Sequence, residues 1–218
     1  MKRYLMLFVS CCLALAAQQP SPGPLTSGDA LRLLKEGNER YRTSHLTHPH
    51  QSAERRIQVS AEQHPFAQVL ACSDSRVPPE IIFDQGLGDI FVVRVAGNTV
   101  DDLVQGSLEY GAAHLKVPLI VVLGHRRCGA VSALVHAEEV HDHIVSLMAA
   151  IFPSVLATRG QPGDPVENVV RANVVRSVDM LRNSWPTLYA LLESGKIQIV
   201  GAIYDLETGT VEWLERSK

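Results

Sequence analysis

The clearest indication of the fold is the sequence FAQVLACSDSR at residues 66–76. It opens with an apolar run interrupted only by Gln68, and a short run without polar and apolar alternation is typical of a strand buried on both faces. A thiol, a carboxylate and a guanidinium then follow at alternate positions, as Cys72, Asp74 and Arg76. The sequence therefore predicts a buried strand that carries three reactive side chains at its carboxyl end.

Three further runs of strand length occur along the chain, with helical patterns between them. Such alternation of nearly all-apolar strands with helices predicts a parallel sheet covered on both faces. The predicted fold class is α/β, with a central, mostly parallel β-sheet of about four strands flanked by helices. A turn at Asp205–Gly209 predicts an antiparallel edge strand at Thr210–Leu214. The predicted parallel strands are Phe66–Ala71, Ile90–Val95, Leu119–Leu123 and Ile197–Ile203.

Six helices are predicted from the 3.6-residue spacing of apolar positions. Ser27 is the candidate N-cap of the first helix, because a side-chain oxygen there can accept a hydrogen bond from the first turn. The remaining predicted helices are Ser52–Gln63, Asp102–Leu115, Gly129–Ala137, His141–Leu156 and Val166–Arg182.

The size and charge of the chain limit the class of protein. The chain has 218 residues, of which 46% are hydrophobic and 20% charged, which suits one sizeable core. We expect a signal peptide at residues 1–17 and a single domain at residues 18–218. Cleavage would remove Lys2 and Arg3 and no acid, so the mature net charge is 18 minus 23, or -5. This mild acidity argues against nucleic acid as a partner.

The N-terminus has the features of a secretory signal. A positively charged start precedes the apolar stretch Tyr4–Leu15, and Ala14-Leu15-Ala16 matches an A-x-A cleavage site. The stretch is too short to be a stable membrane span. We therefore expect an exported, periplasmic protein, with a short buried helix or lipoprotein anchoring at Cys11 as the alternatives.

The number of cysteines in the exported chain limits the roles that they can have. Cys11 and Cys12 leave with the signal, so the exported chain keeps only Cys72 and Cys128. In an oxidising compartment two cysteines favour one disulfide. A disulfide, however, would leave the neighbouring histidine, carboxylate and guanidinium without a purpose.

A second motif, GHRRCGA at residues 124–130, favours a metal site instead. It places His125 and Cys128 on one tight turn after the third strand, and ligand sites in open α/β sheets form at the carboxyl ends of strands, where Cys72 also lies. Two thiolates and an imidazole suit Zn²⁺, and three protein ligands leave one position open, as in catalytic zinc sites.

Asp74 can either bind such a metal or lie beside it. On an extended segment residues 74 and 76 point the same way, so the guanidinium of Arg76 can hold the carboxylate by a two-pronged hydrogen bond and keep it off the metal. An ionised carboxylate in that position can orient a metal-bound water. The alternative is an ordinary surface ion pair.

Taken together, four segments resemble the β-class carbonic anhydrases, as an exported bacterial type, in order and spacing over most of residues 27–215. The resemblance implies zinc bound by Cys72, His125 and Cys128. It also implies that Asp74 and Arg76 form a catalytic pair, with Asp74 bound to zinc only in a closed state. The four segments are CSDSR at 72–76, GDIFVVR at 88–94, GN at 97–98 and GHRRCGA at 124–130.

By spacing, the resemblance also assigns Gln63, Phe91 and Tyr110 to the substrate pocket. It implies a homodimer or homotetramer whose active sites lie at the subunit interface. One position departs from the family, since Arg126 stands where Ser or Thr is usual. A hydrogen bond made by that hydroxyl behind the metal ligands would be replaced, and the resemblance leaves the rate of catalysis open. Another family feature, a bicarbonate site that closes the enzyme, would use Arg94 and Tyr204, but Val69 replaces its tryptophan.

The function that follows is the reversible hydration of carbon dioxide to bicarbonate and a proton by zinc-bound hydroxide. Two alternatives remain at this point. The same site could hydrolyse carbon disulfide or a similar small molecule, which depends on the shape of the access channel. A non-catalytic zinc or bicarbonate binder is the other, but a binder has no need of both Asp74 and Arg76.

Overall fold

The computed structural model describes residues 25–214, in which five strands form one sheet in the order β2-β1-β3-β4-β5. The first four strands run parallel, and β5 pairs with β4 antiparallel across a turn. This confirms the predicted α/β class and the antiparallel edge strand. The strands are β1 Ala67–Ala71, β2 Ile90–Arg94, β3 Leu119–His125, β4 Gln198–Tyr204 and β5 Val211–Leu214.

Eight α-helices surround this sheet in the described part of the chain. The predicted signal peptide, its cleavage site and Cys11 lie outside the described residues. No helix within residues 25–214 is long and apolar enough to cross a membrane. The helices are α1 Ser27–Arg42, α2 Ala53–Gln58, α3 Pro79–Ile82, α4 Asp102–Glu109, α5 Gly129–Val135, α6 Ile144–Thr158, α7 Pro165–Arg182 and α8 Thr187–Glu193.

Several predicted helix boundaries are wrong. Thr26, not Ser27, caps α1, because its hydroxyl accepts from the Asp29 amide while the Asp29 carboxylate accepts from the Thr26 amide. The helix predicted at Ser52–Gln63 ends at Gln58, and the one predicted at Asp102–Leu115 changes at Tyr110 into a π-helical turn. The short helices α3 and α8 were not predicted.

The sheet divides the core into two apolar layers. Helices α4 to α8 cover one face, where Leu70, Ile120 and Val122 are buried, and α1 and α3 cover the other, where Val69 and Val121 are buried. Every residue of β1 and β3 is buried, which explains why both strands are apolar apart from Gln68 and His125. The chain passes from β1 to β2 on one side of β1 and then returns to form β3 on the other side of β1. This reversal of strand order opens a crevice at the carboxyl ends of β1 and β3.

Candidate metal centre

Three potential metal ligands meet in this crevice. Cys72 follows β1, His125 ends β3, and Cys128 is the N-cap residue of α5. Their donor atoms lie within 4.8 Å of one another, and all three side chains are buried. This is the only group of three or more such ligands that the structure brings together within residues 25–214.

The histidine is oriented for a metal. Its Nδ1–H donates to the backbone carbonyl of Arg126 at 3.0 Å, which leaves the lone pair of Nε2 facing the thiols. This Nε2 is buried and has no hydrogen-bond partner among the described residues. A buried acceptor of this kind is costly unless something fills the position, so the arrangement of His125 fits a bound cation.

The two sulfurs are free thiols rather than a disulfide, and they have unequal pKa values. A hydrogen bond from the Cys128 thiol lowers the pKa of Cys72 to about 4 against the effect of burial, with help from the amides of Gly97 and Asp74. Its hydrogen bond to Cys72 and its own burial raise the pKa of Cys128, while the amides at the start of α5 act the other way. The first thiolate therefore forms readily, and a cation would favour the second.

The Asp74 carboxylate lies beside this cluster and is held by Arg76. Arg76 Nε donates to Oδ1 at 3.0 Å and its terminal nitrogen to Oδ2 at 2.7 Å. The predicted pairing occurs, but its expected cause is wrong, because the segment is not extended. The amide of Val77 donates to the Asp74 carbonyl and the amide of Arg76 to the Asp74 side chain, which makes a tight turn.

This pairing keeps Asp74 ionised and beside the ligands without a direct hydrogen bond to His125. The hydrogen bonds from the Arg76 side chain lower the pKa of Asp74 well below its usual range, against a smaller effect of partial burial. Its Oδ2 lies 3.8 Å from Nε2 of His125, which is beyond hydrogen-bond distance. The carboxylate is thus an acceptor next to the three ligands.

Comparison with known proteins agrees with this geometry. The sequence model of the carbonic anhydrase family matches residues 67–211, more than half of the chain. The chain belongs to the carbonic anhydrase family. Carbonic anhydrase 2 of Mycobacterium tuberculosis is 40% identical over 196 residues, which cover 87% of this chain and 92% of that protein. The carbonic anhydrase of Mycolicibacterium smegmatis is 41% identical, with 88% of this chain and 94% of that protein covered.

Solved structures place the fold in the β-class of carbonic anhydrases. The β-carbonic anhydrase CcaA has a TM-score of 0.68 and 27% identity, with 85% of this chain and 95% of that chain covered. A Coccomyxa β-carbonic anhydrase, solved in complex with acetazolamide, has a TM-score of 0.65 and 29% identity over 72% of this chain and 75% of that chain.

In this carbonic anhydrase Arg94 has a role that sequence reasoning did not assign. Its Nε donates to the carbonyl of Cys72 at 3.1 Å, and its terminal nitrogen donates to the carbonyl of Asp74 at 2.6 Å. Arg94 ends β2, and β2 pairs with β1, so the side chain reaches directly across the loop after β1. It therefore supports the segment that carries both a predicted ligand and the carboxylate.

Arg126, which stands where the family usually has Ser or Thr, contacts carboxylates outside the cluster of three candidate ligands. Its Nε lies 3.4 Å from a carboxylate oxygen of Asp205 and 3.8 Å from one of Glu167, and its side chain is about half exposed. Glu167 also accepts from the amide of Arg127 at 3.0 Å. Glu167, near the start of α7, and Asp205, directly after β4, thus hold the turn between His125 and Cys128 from outside.

The predicted pocket residues gather at a different place in the single chain. Gln63 and Tyr110 line one cavity of about 690 Å³ together with His114, and none of Cys72, His125 or Cys128 lines it. The ring of Phe91 lies 6.4 Å from that of Tyr110. Phe91 pairs with Gln68, four residues before Cys72, which corresponds to about 13 Å along the strand. These residues are therefore remote from the metal ligands of their own chain.

Proposed function

We propose that this carbonic anhydrase catalyses the reversible hydration of carbon dioxide with Zn²⁺ held by Cys72, His125 and Cys128. The observation that carries the proposal is the buried set of two thiols and one oriented imidazole beside an ionised carboxylate. The donor set suits zinc, because thiolates and imidazole are its preferred ligands. Three protein ligands are also typical of a catalytic rather than a structural zinc site.

Zinc in such a site supplies a hydroxide nucleophile near neutral pH, because it lowers the pKa of a water ligand to about 7. The protein residues then decide how that nucleophile is used. Asp74 can accept a hydrogen bond from the attacking water and orient it toward the carbon atom of the substrate. Arg76 keeps Asp74 ionised and holds it off the metal through two hydrogen bonds. The reaction releases a proton, which leaves to buffer.

The test is a stopped-flow assay of carbon dioxide hydration on the purified protein together with a measurement of its zinc content. The expected result is zinc-dependent hydration far above the uncatalysed rate. A protein that contains zinc but shows no hydration would contradict the proposed reaction while leaving the metal site in place.

We also propose that a homodimer or homotetramer completes the active site. Support comes from the separation of Phe91, Gln63 and Tyr110 from the metal ligands of their own chain. An apolar surface runs from Leu103 of α4, which is 82% exposed, to Tyr110 directly after this helix, which is 47% exposed. Residues three and four positions apart share one helix face, so Leu103, Gly106 and Tyr110 form a continuous surface that a second copy can cover.

Replacing Leu103 with glutamate is expected to shift the protein toward the monomer and to lower kcat/KM at least about tenfold, because a buried unpaired charge at an interface is strongly unfavourable. Zinc content should remain unchanged. Size-exclusion chromatography with light scattering reports the assembly. Ile81→Glu, at an exposed position on α3 beneath the other face of the sheet, is the matched control. An active Leu103→Glu oligomer would contradict the proposed interface.

Bicarbonate is expected to inhibit without cooperativity, and Asp74 is expected to remain paired with Arg76 near pH 7.5. Arg94 is occupied by two backbone carbonyls, and the hydroxyl of Tyr204 is buried against that of Tyr41 at 3.0 Å. The side chain of Val69 offers no N–H donor. Hydration rates measured against bicarbonate concentration should follow a hyperbola. A sigmoidal fall, or crystals at that pH with an Asp74 oxygen on zinc, would count against an open site.

Export to the periplasm is proposed from the N-terminal sequence alone. The mature chain is expected to begin at Ala17 or Gln18, after the A-x-A site. Intact mass of the protein from its native host is the measurement. Retention of Met1 would contradict export by this signal, and a lipid-modified Cys11 would support the anchored alternative.

A further inference from the structure

A polar side chain interrupts the apolar face of α7 at Asn173. Val169, Val170, Val174 and Val178 of this face are buried in the core, and Asn173 is buried among them. A buried amide is unfavourable unless it is hydrogen-bonded, so its partner is informative. The Nδ2 of Asn173 donates to the backbone carbonyl of Gly97 at 2.7 Å.

Gly97 in turn touches the metal centre. Its amide donates to Sγ of Cys72 at 3.3 Å in a buried contact. The residue has a φ of 71°, and a Cβ atom here would lie 2.7 Å from Cδ1 of Ile151 in α6. Glycine is therefore required for the two backbone groups of this residue to face Cys72 and Asn173 in so little space.

The turn that contains Gly97 is held at several points. The amide of Asn98 donates to the carbonyl of Val95, and the amide of Ser73 donates to that same carbonyl. Ser177, one turn after Asn173, donates to the carbonyl of Asn98 at 3.3 Å. Helix α7 thus fixes the carbonyl side of the turn, while the amide side faces the sulfur.

We propose that Asn173 is a positioning residue for the metal centre, which holds the Gly97 turn so that its amide stays directed at the Cys72 thiolate. Asn173 touches none of the three ligands and acts only through the backbone of Gly97. An N–H donor reduces the electron density on a metal-bound thiolate, and outer hydrogen bonds of this kind orient ligands and tune the metal. The inference rests on the proposed zinc site.

The test compares Asn173→Leu with the native zinc protein in two measurements. Competition with a chelator is expected to show zinc affinity lowered by about 10-fold to 100-fold, the range found for outer-shell changes at metal sites. In the cobalt-substituted protein, the sulfur-to-cobalt charge-transfer band is expected to move to longer wavelength, since the sulfur loses a hydrogen-bond donor. A purely structural role in the core would not move this band.

Asn38→Leu is the matched control. Asn38 is also a buried asparagine whose amide donates to two backbone carbonyls, those of Ile82 and Gly209, but it lies on the other face of the sheet. This variant is expected to lower thermal stability while leaving zinc affinity and the cobalt band unchanged. If either leucine variant fails to fold, the alanine variants of both positions are measured in the same way.

The outcomes separate the inference from the metal site on which it rests. Native affinity and an unmoved band in the Asn173 variant would overturn the positioning role alone. Equal loss of affinity in the Asn173 and Asn38 variants would also overturn it, because general destabilisation would then explain both. A native protein that takes up no zinc would refute the proposed metal site, and the positioning role with it.

Discussion

Asp74→Asn is expected to retain about one zinc per chain and to lose at least about 100-fold in kcat for carbon dioxide hydration, the range typical of a lost proton-handling group. The amide that replaces the carboxylate has one acceptor oxygen and a donor nitrogen, and the negative charge that orients the attacking water is gone. The variant also leaves Arg76 without its ionic partner. Stopped-flow rates and zinc content on the same sample are the measurements.

Asp84→Asn is the matched control for this variant. Asp84 is also a carboxylate held by an arginine, with Arg40 Nε donating to its Oδ2 at 2.6 Å, but it lies in the layer on the other face of the sheet. Burial would raise the pKa of Asp84, yet hydrogen bonds from Arg40 and Thr47 lower it to about 2. The control should therefore lose stability but keep kcat. Wild-type rates in Asp74→Asn would mean that Asp74 and Arg76 are only a surface pair.

The pKa shift of Asp74 also predicts what pH does to this pair. Because its folded pKa lies below the unfolded value, the pairing stabilises the fold above the unfolded pKa and is lost only as the pH falls through the folded pKa. Asp74 thus stays ionised throughout a neutral assay range. A change in activity between about pH 6 and pH 9 should accordingly follow the titration of the water on zinc.

Removal of zinc is expected to abolish hydration entirely. Separately, Cys128→Ser should weaken zinc binding by more than about 100-fold, since the loss of a ligand lowers zinc affinity more than the loss of a hydrogen bond to a ligand. Serine is a poor ligand because its hydroxyl remains protonated near neutral pH. Dialysis against a chelator, followed by titration with zinc while hydration is measured, checks the first expectation. Activity should return at about one zinc per chain.

Ser132→Ala is the control for Cys128→Ser, because it removes a hydroxyl from the same short helix. Ser132 Oγ lies 3.2 Å from a ring nitrogen of His136 and touches none of the three ligands. Zinc affinity in this variant should match that of the native protein. A metal-free protein with a Cys72–Cys128 disulfide and full activity would contradict the proposed metal chemistry.

The fold class and the three ligands of the candidate site could both be predicted from the sequence alone. Strands β1 and β3 are buried on both faces, so nearly all their positions are apolar, with Gln68 and His125 as the exceptions, and the pattern is visible in a few neighbouring residues. The candidate ligands could be identified because the chain beyond the predicted signal has just two cysteines and the carboxyl ends of parallel strands meet at one edge. Both inferences depend on local pattern and general topology.

How the ligands are supported and where the pocket residues lie became clear from the tertiary structure. Asn173 and Gly97 are 76 positions apart, and Arg94 reaches from β2 to the carbonyl of Cys72 at the end of the neighbouring strand β1. The signal that could have revealed Asn173 was a polar residue, one of two with Ser177, on the mainly apolar buried face of α7. Its partner, like the distance from Phe91 to the ligands, depends on strand register and helix packing. Strand register and helix packing arise from contacts between segments that are distant in the sequence, and the local periodicity of apolar residues does not reveal these contacts.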